Sequence, residues 1–156
     1  MFLLQQSQFP SINVSRYTVG DETTCLTGEN LMFVRKLSAI VGTERDVAWG
    51  NGQSRRFLIE SDGMNYSFTD TIINEGSESQ LEYKNHQEVC YCIAGEGEIE
   101  FEGVVHKLEP GAMYVLDNHE KHCLRAITTM RLVCIFTPAL QGFEFHDLSS
   151  GESSSY

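Results

Sequence analysis

The stretch from residue 89 to residue 137 constrains this chain most. It breaks into short apolar and aromatic runs at 89–94, 97–102, 104–108, 113–117, 123–127 and 131–137, punctuated by Gly95, Gly97, Gly103, Pro110-Gly111 and Pro138. Runs this short, with almost no helical periodicity, predict many short strands rather than helices. The expected architecture is therefore all-β, a sandwich or small barrel. Upstream, Arg55–Ile59 and Tyr66–Ile73 read as strands separated by the turn Ser61-Asp62-Gly63. Met32–Gly42 reads as a strand and then a short helix, stopped by Gly42.

Composition narrows the function. With 156 residues, 41% of them hydrophobic, the chain can bury the core of one ordinary domain. A formal net charge of -11 argues against a nucleic-acid partner and disfavours an anionic membrane surface. No apolar run approaches the roughly 20 residues that span a bilayer. The five cysteines form no C-x-x-C pair, which fits a reducing, cytoplasmic setting. Cys90 and Cys92, two apart in a strand, share a face and read as small core residues. The start, MFLLQQSQFPSINVSRY, reads as neither a secretory signal nor a transit peptide. Residues 1–31 read as an N-terminal extension, 32–147 as the domain and 148–156 as a flexible tail.

Gly76 to Gly95, GSESQLEYKNHQEVCYCIAG, has the skeleton of a cupin's first motif, and Gly103 to Asn118, GVVHKLEPGAMYVLDN, that of the second. Gly76, Glu88 and Gly95 keep their places; the two usual histidines of the first motif are Glu82 and Lys84, and that of the second is Tyr114. The resemblance implies a single cupin jelly-roll barrel with a short helix or two outside it. It also implies a metal site rebuilt on other residues.

Glu88 opens a strand and shares a face with Cys90 and Cys92, so a carboxylate in the interior needs a cationic partner. A hairpin at Asp117-Asn118-His119-Glu120 would return His122 alongside Tyr114, letting both converge on Glu88. Carboxylate, phenolate and imidazole suit Fe(II), with Zn(II) possible and Mn(II) less suited. Spacing is equally compatible with His119 and His122 as surface turn residues and Tyr114 as a barrel aromatic. His86 reads as a partner of Glu88 or a pocket wall, and His106 as an exposed residue. Glu144 and His146 point one way in an extended segment, as a positioned base or a solvated pair. Arg55-Arg56 is a basic pair that would clamp a carboxylate or simply face solvent. Gly95-Glu96-Gly97 reads as a tight hairpin, since no helix or Lys-Ser/Thr follows as in a phosphate loop.

The strings EYKNHQEVCYCIAGEGEIEFEG, KLEPGAMYVLDNHEKHCLRA and RLVCIFTPALQGFEFHD resemble ectoine synthases, from about Met32 to His146. N-H-x-E-x-x-Y-C-I-x-G-E-G combined with Y-x-L-D-x-H-x-x-H is specific to that family among cupins. The resemblance implies Fe(II) ligands at Glu88, Tyr114 and His122. It implies a substrate pocket of Arg56, Thr71, Tyr83, His86, Leu116, Phe136, Pro138, Gly142, Glu144 and His146. It further implies a head-to-tail homodimer that cyclises the small amino acid N-γ-acetyl-L-2,4-diaminobutyrate to ectoine, a compatible solute, with loss of water. Glu144 positioned by His146 would be the base, Tyr83 would support proton transfer and Phe136 would wall the product. The chain departs from the family at Gly52, usually Trp, with Trp49 nearby; at Thr69, usually Asn; and at Glu82, usually His. Those departures keep open a related cyclase acting on another short amide such as glutamine. A cupin that binds a solute without turnover is a further alternative. A sugar isomerase or dioxygenase would have kept the usual cupin histidines.

Overall fold

Short strands carry almost all of the regular structure in the computed structural model, which describes residues 15–19, 22–27, 30–117, 119–146 and 154–155. Most of the expected 1–31 extension and 148–156 tail lies outside the described residues or has only its backbone described. The chain forms two compact units, Met1–Ala39 and Ile40–Tyr156. In the first, β1 (Ser15–Val19), β2 (Glu22–Thr27) and β3 (Asn30–Arg35) form an antiparallel sheet in chain order. A 3-10 turn at Leu37–Ala39 follows, and Gly42, in the next unit, has a left-handed φ of 78°.

The second unit holds β4 (Asp46–Ala48), β5 (Gly52–Leu58), β6 (Ser67–Ile73), β7 (Glu78–Glu82), β8 (Gln87–Ala94), β9 (Gly97–Phe101) and β10 (Val104–Leu108). It continues through β11 (Met113–Leu116), β12 (His122–Ala126), β13 (Met130–Thr137) and β14 (Ser154–Ser155). These strands make a six-stranded sheet, β11-β8-β13-β6-β5-β4, and a five-stranded sheet, β10-β9-β12-β7-β14. All pairings are antiparallel except β14 with β7. Two sheets with successive strands passing between them form a jelly roll, the all-β cupin architecture. Helical structure among the described residues is limited to 3-10 turns, including Glu60–Asp62 between β5 and β6, and no described helix is long and apolar enough to cross a membrane.

Period-two burial sets what faces inward. Along β8, Glu88, Cys90 and Cys92 are buried; along β13, Met130, Leu132, Cys134 and Phe136 are. Opposite them, Leu81, Ile99, Leu124 and Ala126 from the five-stranded sheet close the apolar core.

Two expected hairpins are absent. Gly95-Glu96-Gly97 does not pair its flanking strands: β8 pairs with β11 and β13, while β9 pairs with β10 and β12. That turn carries the chain from one sheet to the other, and Gly95 takes the left-handed φ of 81° it needs. β12 likewise lies in the other sheet from β11, between β7 and β9 and not beside β11. His122 therefore reaches the interior from the wall opposite Tyr114. The hairpin that does form is β9–β10 around Glu102-Gly103, which exposes His106 as expected.

Candidate functional site

The interior between the sheets holds a cavity whose wall includes Arg56, Thr71, Tyr83, Glu88, Tyr114 and His146. Glu88 enters from β8 and is only 3% exposed. Burial lifts its carboxyl from 4.5 to about 7, and hydrogen bonds from Cys90, Tyr83 and Tyr114 oppose that shift. The β8–β11 register sets Tyr114 opposite Cys90. Burial, with the neighbouring Cys90 and Glu88, pushes the Tyr114 hydroxyl well above the usual phenol range.

His122 opens β12 opposite Leu81. Its Nδ1 donates to the carbonyl of Glu120 at 3.1 Å, which leaves Nε2 as the unprotonated lone pair of a neutral ring. Burial lowers its pKa and keeps it neutral. Glu88 Oε2 and His122 Nε2 are both buried and have no hydrogen-bond partner among the described residues. Buried acceptors are nearly always satisfied, so two orphans in one interior are what a cation would resolve. With the Tyr114 oxygen they make a hard-to-intermediate O,O,N set that fits Fe(II). The three are not equally placed. Glu88 and Tyr114 line the cavity, whereas His122 borders a neighbouring groove with Gln80, Glu100 and Lys121. Tyr83 stands between: Glu88 accepts its hydrogen bond, and its ring centroid lies 6.0 Å from that of His122.

A second group surrounds Arg56, which is 1% exposed. Its Nη1 contacts Glu144 Oε2 at 3.3 Å, and its Nη2 donates to the Glu144 backbone carbonyl. The Glu144 carboxylate also accepts from the amides of Gln141 (2.6 Å) and Gly142 (2.8 Å). Burial alone would raise its pKa, but these amides and Arg56 win and lower it. A carboxylate so fully engaged is a poor base. His146 turns inward instead, its Nε2 3.1 Å from the Tyr83 hydroxyl, and burial drives its pKa down to about 3, so the ring is neutral.

Of the expected pocket residues, Arg56, Thr71, Tyr83, Phe136 and His146 line the cavity. His86, Leu116, Pro138, Gly142 and Glu144 sit around it rather than in its wall. His86 Nδ1 donates to the Pro138 carbonyl at 2.8 Å, and Leu116 pairs with Glu88 across β11–β8. Trp49 does reach the cavity, its ring 5.3 Å from that of His146. A Cβ on Gly52 would collide with the Ile72 carbonyl oxygen and stand 3.0 Å from Trp49 Cζ2, so the neighbouring strand's backbone, with the indole beside it, leaves room only for glycine. Glu82 lies 3.9 Å from Lys84, and Thr69 Oγ1 is 3.0 Å from Thr71 Oγ1. Ser54, Cys134 and Phe145 also line the cavity, beyond the residues expected from sequence. Ser54 and Cys134 each lie two positions from a wall residue, Arg56 and Phe136, and period two was the signal for both.

The ectoine synthase family model matches residues 32–155. The L-ectoine synthase of Desulfatibacillum aliphaticivorans is 51% identical over 120 residues, 74% of this chain and 92% of that protein. Among solved structures, ectoine synthase from P. lautus aligns with a TM-score of 0.69 and 50% identity, covering 71% of this chain and 81% of that one. An RmlC-like cupin from Shewanella frigidimarina, at a TM-score of 0.54 and 22% identity over 66% of this chain and 90% of that one, shares the fold. The cavity and these two unpartnered acceptor atoms thus lie in a member of the ectoine synthase family, cupin-fold hydro-lyases.

Proposed function

We propose that this enzyme closes N-γ-acetyl-L-2,4-diaminobutyrate to ectoine with loss of water, using Fe(II) held by Glu88, Tyr114 and His122. The observation that carries the metal assignment is the pair of buried, unpartnered atoms Glu88 Oε2 and His122 Nε2. Bound there, the ion would supply Lewis acidity toward the acetamide oxygen.

The chain's own groups handle the rest. Arg56 places a buried cation in the cavity wall, suited to the substrate carboxylate. The Tyr83 hydroxyl and the neutral His146 ring form an uncharged hydrogen-bonded pair facing the cavity, which orients the α-amine once its proton has been released to water. Glu144 fixes Arg56 and the 141–144 loop, a positioning role in place of the base expected from sequence. Phe136, 5.1 Å from the Tyr83 ring, gives the flat product an aromatic wall. Holding both ends of one molecule in one cavity supplies much of the acceleration.

The test is to purify the chain without oxygen, load Fe(II), and offer N-γ-acetyl-diaminobutyrate, N-α-acetyl-diaminobutyrate and glutamine separately, following products by NMR. Ectoine from the first substrate alone is the expected result. A ring closed only from glutamine, or saturable binding without product, would replace this reading with the related cyclase or the solute binder.

A further inference from the structure

Cys90 on β8 and Cys134 on β13 are directly opposed in the ladder, and their sulfurs lie 2.8 Å apart. Both are buried and both line the cavity. Cys134 Sγ is also 3.9 Å from Thr71 Oγ1. The Glu88 carboxylate completes a triangle: one donor atom from each of Glu88, Cys90 and Cys134 lies within 4.8 Å of the others. No other trio of histidine, cysteine or acidic side chains comes together in this way among the described residues. The Glu88 side chain is 3% exposed, and its Oε2 has no hydrogen-bond partner among the described residues.

The cyclisation uses neither sulfur. Two thiols and a carboxylate form a softer donor set than carboxylate, phenol and imidazole, and soft donors select thiophilic ions. We propose that Glu88, Cys90 and Cys134 form a second cation site in the cavity wall, taking a thiophilic divalent ion such as Zn(II) or Cd(II). The two sites share Glu88, so occupancy of one opposes occupancy of the other.

A tetrahedral ion with metal–sulfur bonds of about 2.3 Å spaces its sulfurs roughly 3.8 Å apart. The thiols therefore separate by about 1 Å, through side-chain rotation toward the cavity both already face. Charge balances by release of one proton from each thiol as the dication binds. A disulfide would be another use of the pair, but oxidants attack exposed thiolates, and a buried thiol is a poor target. A bound dication, by contrast, deprotonates a coordinating thiol outright.

The experiment titrates Cd(II) alone into the reduced full chain under nitrogen, following thiolate-to-cadmium charge-transfer absorption and proton release. The expected result is saturation at one ion per chain with at least the two thiol protons released. Cys90→Ser and Cys134→Ser should each weaken binding by at least about tenfold and diminish the band. Cys25→Ser, Cys92→Ser and Cys123→Ser should leave the band in place. Absence of the band in the unmodified chain overturns the proposal, and that measurement needs no variant to fold. So does a band that survives both Cys90→Ser and Cys134→Ser, or one that disappears with Cys25, Cys92 or Cys123. Absorbance requires no turnover, so failure here leaves the cyclase reading standing, and failure of that reading leaves this one standing.

Discussion

Two carboxylates at this site have opposite surroundings. Glu88 is buried with no cation beside it among the described residues, and its carboxyl is lifted to about 7. Glu144 lies against the Arg56 guanidinium and accepts two backbone amides, and its carboxyl is lowered. Both positions remove a carboxylate from bulk water; only one returns compensating charge. Under the proposed metal assignment, the difference separates a group left open to an exchangeable ion from a group that is already part of the scaffold.

The largest expected effect removes the first carboxylate. Glu88→Gln should bring iron content to background and cut kcat by roughly a thousandfold or more, as loss of a Lewis acid worth several kcal/mol requires. The metal-free variant should melt no lower than the metal-free parent, because a buried group without a charge partner adds nothing to stability. A lower melting point there would erase the distinction. Glu144→Gln should behave in the opposite sense. Iron content stays at the parent level, KM rises more than kcat falls, and stability drops by roughly 1–3 kcal/mol as Arg56 loses its partner. Metal analysis, steady-state kinetics and thermal melts check these together.

Acid sharpens the contrast. Because the folded pKa of Glu144 lies below its ordinary 4.5, the ionised carboxylate contributes stability fully above that value and loses it as pH falls through the folded pKa. The melting-temperature gap between parent and Glu144→Gln should therefore be constant near neutrality and close on acidification below about pH 5. A gap that widened on acidification would reverse the sign assigned to Glu144. The smallest effect belongs to Trp49→Phe, which keeps an aromatic edge against His146. It should raise KM only a few-fold and cost about 1 kcal/mol, by melts and kinetics.

Much of the frame was legible because strand period and turn residues act locally. The inward alternation of Glu88, Cys90 and Cys92, the stop at Gly42 and the β9–β10 hairpin all followed from neighbours in sequence. β7 was passed over because Glu78, Gln80 and Glu82 point outward around Ser79 and Leu81, so the run reads as polar. The sheet crossings at Gly95-Glu96-Gly97 and between β11 and β12 were misread as hairpins for a different reason. A turn looks the same locally whether its flanking strands pair with each other or with distant ones, and only long-range register decides. The site divides the same way. The proposed ligand trio came from resemblance, since the hairpin that spacing relied on does not form, and the contact between Cys90 and Cys134 depends on the β8–β13 register. The engagement of Glu144 depends on loop amides and a guanidinium that no motif encodes.

The crossing between β11 and β12 has a mechanical consequence. Since Glu88 and Tyr114 belong to one sheet and His122 to the other, an ion gripped by all three would act as a rivet through the sandwich. The rate at which such an ion escapes would then gauge how freely the two layers breathe apart.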